Sequence, residues 1–140
     1  MNQYTNQRRP INNSAIPTVI FVLLVTNGLL YAVSQLQPRF MFANFALWPL
    51  DSMEPEFHIL QLLTYGFLHD LRGLGHIAFN MFGLWMFGRD IERMIGARRF
   101  LTYYLTCVIG AGIVQLIVAG MQGGIYPTVG ASGGVFGILL

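Results

Sequence analysis

Charged residues are scarce in this sequence: Asp, Glu, Lys and Arg make up only 10% of its 140 residues, against about 25% in an ordinary soluble domain. Lysine is absent, so all eight basic residues are arginines, and long apolar runs separate them. Arginines spread in this way form no basic face, which excludes a nucleic-acid-binding module. Hydrophobic residues account for 54% of the chain, so we expect part of the protein surface to be shielded from water.

Cysteine is almost absent as well. The single Cys107 lies within an apolar run, which excludes an internal disulfide and leaves no paired-cysteine metal signature. A lone cysteine in such a setting packs as a small hydrophobic residue. We therefore expect Cys107 to be buried or to face lipid.

Long runs without charge predict four membrane-spanning helices. The run Ala15 to Val33 covers a ~30 Å hydrocarbon core at about 1.5 Å per helical residue. It exceeds the ~7–15 apolar residues of a cleaved signal peptide, which is the alternative for this segment. The 41 uncharged residues from Phe100 to Leu140 are too many for one span of about 17–25, and glycines with Pro127 divide them. The predicted helices cover residues 15–36, 73–91, 100–121 and 129–140.

The predicted fold class is therefore all-α, a polytopic membrane helix bundle, with residues 1–14 as a tail and residues 15–140 as one partial domain. The fourth helix stops at Leu140 after about half of the length that a span needs. Carbonyl groups left unpaired in mid-bilayer are costly. We therefore expect the chain to be the front part of a longer protein.

The arginines also predict an orientation. Arg8 and Arg9 precede the first helix, and four more arginines lie in residues 89–99, between the second and third helices. The positive-inside rule then puts the N-terminal tail and the 89–99 loop in the cytoplasm. The acidic connection at residues 37–72 is expected on the outer side.

Two polar side chains lie within the second predicted helix. His76 and Asn80 are four residues apart, so they share one helix face, which Gly83 and Phe87 continue. Polar groups at this depth usually face the interior of the bundle. The simplest interpretation is that His76 and Asn80 only form hydrogen bonds between helices, and the two residues alone leave that interpretation open.

A glycine-rich cluster, Gly130-Ala131-Ser132-Gly133-Gly134, opens the fourth predicted helix. Its glycines fall at the small-xxx-small spacing that lets helix backbones approach closely. Close packing does not explain Ser132, which is expected at the same depth as His76 and Asn80, within two turns of the outer face. Spare backbone N–H groups and the positive end of the helix dipole suit this position to stabilising an oxyanion.

The segments His76-Ile77-Ala78-Phe79-Asn80 and Gly130-Ala131-Ser132-Gly133 resemble the HxxxN and GxSG motifs of the rhomboid family of intramembrane serine proteases. Each motif alone is a weak signal, but their order, spacing and shared depth together make the match specific. The resemblance covers nearly the whole chain after the first helix and extends to Thr64, Phe67, His69, Glu92 and Gly96. It implies a bundle of six core transmembrane helices, of which four are expected here.

The resemblance also implies roles for individual residues. Ser132 is the expected catalytic nucleophile, and His76, Asn80 and the Ser132 backbone N–H are expected to form the oxyanion hole. The family's general base is a histidine on the sixth helix, so no histidine of this chain is assigned as the base, and residues 1–140 alone are expected to be inactive. A Ser–His pair would activate a weak nucleophile, and neither a metal nor an organic cofactor is implied.

The first outer loop departs from the family pattern. Leu60-Gln61 stand where many members have Trp-Arg, and the separation of His69 from His76 is about two residues longer than the family leads us to expect. We therefore expect the loop to differ in shape, while the catalytic motifs are unaffected.

Three functions are weighed on this basis. The favoured one is an endopeptidase that cleaves transmembrane segments near the outer membrane face, with membrane-protein substrates and lipids as partners. A rhomboid-like pseudoprotease that binds client transmembrane helices without cleavage is the alternative, disfavoured because Ser132 is present. A small transporter is disfavoured because the apolar runs 15–33, 73–88 and 100–140 contain no charged residue that could couple an ion. The N-terminus lacks a mitochondrial transit pattern, so a bacterial plasma membrane is expected.

Overall fold

The computed structural model describes residues 16–140, so the tail predicted at residues 1–14 lies outside the described part. The helices, numbered in chain order, are α1 Thr18–Leu36, α2 Pro38–Phe45, α3 Gln61–Thr64, α4 Gly75–Gly83, α5 Arg89–Ile95, α6 Ala97–Gln122 and α7 Ser132–Gly137. A 3₁₀ turn, Tyr65–Phe67, follows α3, and a π-helical turn, Leu84–Gly88, joins α4 to α5. Within residues 16–140 the extended pairing is limited to one isolated bridge between Leu47 and Thr128, which confirms the all-α class.

Two of these helices, α1 and α6, are long and apolar enough to cross a membrane. Large apolar side chains on their surfaces point away from the bundle, as Phe21 and Leu29 of α1 do. In a bilayer such side chains face lipid tails, which are as apolar as the side chains themselves. The outward apolar surface therefore fits a helix in lipid.

The second and fourth predicted spans have different bounds in the structure. The segment expected at about 73–91 begins at Gly75 and runs to Ile95, where Gly96 ends it with a φ of +86°. The last helix begins at Ser132 rather than near 129, because Gly130 has a φ of +130°. Positive φ values interrupt a right-handed helix, and glycine adopts them at little cost.

The core of the bundle is an apolar cluster that four helical segments share. It contains Ile20 and Leu23 from α1, Leu84 from the π-helical turn, and Phe100, Tyr104, Val108, Val135 and Ile138 from α6 and α7. Glycines bring α7 against α6: a Cβ on Gly134 would lie 2.5 Å from Tyr104 Cε2, and one on Gly133 would lie 2.5 Å from Ala111 Cβ. The small-residue packing predicted for these glycines therefore exists in the structure, and Cys107 packs against Gly137 in the same interface.

A buried carboxylate fixes one end of α1. Glu92 is only 4% exposed, and its two oxygens accept hydrogen bonds from the backbone N–H groups of Val19 at 2.9 Å and Ile20 at 2.8 Å. The first N–H groups of a helix have no intrahelical partner, and a negative charge there is favourable. Glu92 therefore joins α5 to the start of α1.

Long-range hydrogen bonds fix the loops at the opposite end of α1. The Gln61 side chain is fully buried, accepts the Trp48 N–H at 3.2 Å and donates to the Glu56 carbonyl at 3.2 Å. Leu47 and Thr128 exchange two backbone hydrogen bonds. Gln61 thus holds the first loop together, and the Leu47–Thr128 bridge ties this loop to the segment before α7.

Candidate active site

A groove of about 380 Å³ lies between α7 and the α4 segment with its π-helical turn. One end is polar and carries His76, Asn80 and Ser132, while the rest is apolar. The other lining residues are Phe79, Phe82, Gly83, Met86, Phe87, Val135, Phe136 and Leu139. The structure thus brings together the three residues that the sequence singled out, and the predicted helix face with Gly83 and Phe87 lines the same groove.

Gly130 lies close to both the His76 ring and the Ser132 hydroxyl. A Cβ on Gly130 would lie 3.0 Å from both Cε1 and Nε2 of His76, and 3.8 Å from Ser132 Oγ. Any larger residue would therefore push against the His76 ring, besides being strained at this positive φ. The backbone N–H of Gly130 donates to the Tyr65 carbonyl at 3.0 Å, which fixes the glycine in place.

The protonation of His76 follows from a backbone contact. The Asp70 N–H donates to His76 Nδ1 at 3.1 Å, so Nδ1 acts as an acceptor. A neutral imidazole has one acceptor and one donor nitrogen, and the tautomer is inferred from the hydrogen bonds it makes. Nε2 therefore carries the proton, and the Nε2 edge of the ring is the one beside Gly130. In this state His76 can donate a hydrogen bond towards the groove but cannot accept a proton from Ser132.

Asn80 offers a second donor beside His76. Its side chain is 5% exposed, and Nδ2 donates to the His76 carbonyl at 2.9 Å. A side-chain amide has two N–H donors, so one of them remains for a group in the groove. His76 and Asn80 are thus both oriented by backbone contacts that leave a donor for a ligand.

Ser132 is the first residue of α7 and is only partly buried. Its hydroxyl forms no hydrogen bond with any residue in the 16–140 range, and its N–H stands before the first complete helical turn. Both groups can therefore interact with a bound molecule. The groove consequently offers one hydroxyl and several N–H donors around the space next to Gly130.

An ion pair organises the turn that contacts His76. Asp70 accepts hydrogen bonds from the backbone N–H of Arg72 at 2.9 Å and from its guanidinium at 2.6 to 3.1 Å. These contacts with Arg72 lower the pKa of Asp70 to about 2. Asp70 is therefore ionised at neutral pH and closes the turn that directs its own N–H at His76.

His69 packs beside His76 but in a different environment. The two rings meet edge to face, with centroids 5.3 Å apart, and His69 is fully buried. Neither of its ring nitrogens makes a well-formed hydrogen bond with a described residue. Burial lowers the pKa of His69 to about 4, so its ring is neutral at neutral pH.

Sequence reasoning did not anticipate several parts of this site. The role of the Asp70 N–H was missed, because nothing in the sequence shows which backbone group a histidine will meet. Phe136, four residues after Ser132, could have been found from helical spacing. The side chains that form the apolar part of the groove were not assigned to the site either.

A helical membrane protein with a serine, a histidine and an asparagine in one groove is the class that fold and site define. The Rhomboid domain family model matches residues 56–140 of the chain. The chain therefore belongs to the rhomboid family and is an integral membrane protein.

Individual relatives agree with the family match. The Rhomboid protease GluP of Bacillus subtilis is 42% identical over 79 residues, which are 56% of this chain and 14% of the relative. The Rhomboid protease GlpG of Photorhabdus laumondii is 26% identical over 129 residues, which are 92% of this chain and 42% of the relative. The mitochondrial Rhomboid protein 1 of Saccharomyces cerevisiae is 33% identical over 66 residues, 46% of this chain and 19% of the relative. The chain thus spans less than half the length of each of these relatives.

Proposed function

We propose that this chain is part of an intramembrane serine endopeptidase that cleaves transmembrane segments of other membrane proteins, with Ser132 as the nucleophile. The observation that carries the proposal is that the Cε1–Nε2 edge of His76 and the Ser132 hydroxyl both lie within 4 Å of the position that a Cβ on Gly130 would take, while Nδ1 of His76 accepts the Asp70 N–H. A carbonyl group in this space would meet a nucleophile and hydrogen-bond donors together, as acyl transfer requires.

The proposed reaction starts with attack of Ser132 Oγ on the scissile carbonyl carbon. The hydroxyl proton passes to the general base, and negative charge develops on the carbonyl oxygen. The Nε2–H of His76, the remaining N–H of Asn80 and the Ser132 backbone N–H stabilise that charge. The C–N bond then breaks, the amine leaves with the proton from the base, and water hydrolyses the ester on Ser132.

The general base is proposed to be a histidine beyond residue 140, on a sixth transmembrane helix, as the family resemblance implies. His76 is a poor candidate, because its Nδ1 is occupied by the Asp70 N–H and its Nε2 is a donor. His69 is a poor candidate as well, because it is fully buried and does not line the groove. Residues 1–140 alone are accordingly expected to show no cleavage.

The apolar part of the groove supports a membrane-embedded substrate. Phe82, Met86 and Leu139 continue the groove away from the polar end, so an apolar segment can lie there while its backbone reaches Ser132. The proposal places the enzyme in a bacterial plasma membrane, with cleavage near the outer face.

The test is Ser132→Ala in the complete protein, purified in detergent and assayed on a model transmembrane substrate. We predict that cleavage and fluorophosphonate labelling are abolished, because a methyl group cannot attack a carbonyl. Ser34→Ala is the matched control: Ser34 is a buried serine outside the groove, and its hydroxyl donates to the Leu30 carbonyl of α1. Wild-type cleavage by Ser132→Ala, at matched thermal stability, would remove the serine-protease proposal and favour a pseudoprotease that binds helices without cutting them.

The proposed orientation has a separate test. We expect residues 89–99 in the cytoplasm and Asp51 outside, from the distribution of arginines. The variants are Asp51→Cys and Met94→Cys, each in a Cys107→Ser background. Both positions are exposed, Asp51 in the loop before α3 and Met94 on α5. An impermeant thiol reagent added to intact cells should label Cys at 51 and not at 94, and the reverse pattern would invert the topology.

A further inference from the structure

The end of the bundle opposite the groove's polar end carries more arginine than its own acidic groups neutralise. Arg89 and Arg93 both lie near Asp90, at 3.3 Å and 3.8 Å from its Oδ1. The carboxylate of Glu92 is occupied by the N–H groups at the start of α1. Both acids of this region are therefore engaged.

Arg98 and Arg99, on the first turn of α6, are left without an acidic partner. Both are exposed, and neither forms an ion pair with a residue in the 16–140 range. Residues 1–15 contain no Asp or Glu, so the N-terminal tail cannot neutralise them either. Within residues 16–140, two adjacent positive charges at this end of the bundle are therefore exposed and without a neutralising carboxylate.

These two arginines form the rim of a shallow groove of about 450 Å³, which Thr102 and Tyr103 complete. Thr102 is four residues after Arg98, and Tyr103 is four residues after Arg99, so each arginine stands above one of them on the helix surface. The Tyr103 hydroxyl donates to the Gly137 carbonyl at 2.6 Å, which fixes the ring between α6 and α7. From Phe100 onwards α6 is uncharged, so the arginine pair lies at the membrane boundary.

We infer that this groove binds the phosphate headgroup of an anionic membrane lipid. A guanidinium matches a phosphate with two parallel hydrogen bonds, and basic pockets at the membrane surface attract anionic lipids. The groove passes from a charged rim to a hydroxyl and an aromatic ring on an apolar helix. The two arginines fit a lipid headgroup, the hydroxyl fits its ester region, and the aromatic ring with the apolar helix fits its acyl chain. Free phosphate would contact the arginines alone.

The test measures lipid binding to the purified full chain by native mass spectrometry, with phosphatidylglycerol and phosphatidylcholine of matched acyl chains. We expect the wild type to prefer phosphatidylglycerol. An arginine near the surface contributes about 1 kcal/mol to anionic-lipid attraction, which is roughly a fivefold change in affinity. Arg98→Gln and Arg99→Gln should each weaken phosphatidylglycerol binding by about fivefold, and the double variant by about 25-fold, without changing phosphatidylcholine binding.

Arg39→Gln is the matched control, because Arg39 is an exposed arginine on α2, at the opposite end of α1. It should keep the wild-type preference. The double variant Arg98→Lys with Arg99→Lys keeps the positive charge but loses the planar guanidinium, so it should bind phosphatidylglycerol with intermediate affinity. It also keeps the test decisive if the double glutamine variant does not fold. A glutamine pair that retains the wild-type preference would overturn the inference. Displacement of phosphatidylglycerol by millimolar inorganic phosphate would overturn it too, by assigning the site to the free anion.

Discussion

The polar side chains at the two ends of the bundle differ in how far their hydrogen-bonding groups are satisfied. At the end with α5, the carboxylate of Glu92 has both oxygens satisfied by backbone N–H groups of α1. At the end with α4, His76 and Asn80 have one contact each to the backbone and keep one donor free. A fully satisfied group stabilises the fold, whereas a group with a spare donor costs stability unless a ligand completes it. The difference agrees with the proposal that the α4 end carries the chemistry, whereas the α5 end anchors α1.

The largest expected effect comes from removing the spare hydrogen-bond donors of His76 and Asn80. In the complete protein we predict that His76→Ala and Asn80→Ala each lower kcat by on the order of 10²–10³, the usual loss for one oxyanion donor. Cleavage should persist at a measurable level, unlike in Ser132→Ala, because the nucleophile and the other donors remain. Initial rates at saturating substrate, together with thermal unfolding of each variant, separate catalysis from folding.

Phe79→Ala supplies the control for that experiment. Phe79 lies on the same helix and lines the same groove, but it is 77% exposed and offers no hydrogen bond. Its kcat should stay within a few-fold of the wild type. If Phe79→Ala lost as much activity as His76→Ala, the loss would reflect the shape of the groove rather than donation to an oxyanion.

The second prediction tests the hydrogen bonds between Glu92 and the start of α1. Glu92→Gln keeps the size of the side chain but replaces one acceptor oxygen by an N–H₂ group that cannot accept from α1. Hydrogen bonds to charged groups contribute about 1.5–3 kcal/mol, so we expect the free energy of unfolding to fall by about that amount. Unfolding of the detergent-solubilised protein by a denaturing detergent, followed by circular dichroism, measures the change.

Asp90→Asn is the comparison for Glu92→Gln, since Asp90 is an exposed acid two residues away. Exposed ion pairs contribute little, so Asp90→Asn should leave stability nearly unchanged. Equal losses from the two substitutions would mean that the charge of the segment matters and the α1 contact does not.

The sequence predicted the local parts of both regions better than the contacts between them. Charge-free runs indicated the helices, and the four-residue spacing put His76 and Asn80 on one face, because both follow from helix geometry. The hydrogen bonds that the α1 backbone N–H groups donate to Glu92 join residues more than 70 positions apart. The Asp70 contact with His76 depends on how a loop folds over the start of α4. Neither the contact between Glu92 and α1 nor the contact between Asp70 and His76 leaves a periodic signal in the sequence, so neither contact could be predicted from it.

The last expected effect appears only as the pH falls and concerns His69, the buried histidine that has no well-formed hydrogen bond with a described residue. Its pKa is about 4 in the folded protein, below the ordinary value of about 6.5. Between these two values the unfolded chain binds more protons than the folded one, so acidification favours unfolding. We predict that His69 lowers the free energy of unfolding by up to about 1.4 kcal/mol per pH unit as the pH falls from 6.5 to 4.

His69→Phe sharpens this last prediction, because it keeps an aromatic ring in the buried space and removes the titrating group. Unfolding measured at pH 7, 6, 5 and 4 should show a shallower loss of stability for His69→Phe than for the wild type. His58→Gln, which replaces an exposed histidine, should follow the wild-type curve. The Asp70–Arg72 pair contributes little to the slope in this range, since Asp70 has a pKa of about 2 and stays ionised. Parallel curves for wild type and His69→Phe would show that protonation of His69 carries no cost, and that the α4 end tolerates a buried charge better than its missing hydrogen bonds indicate.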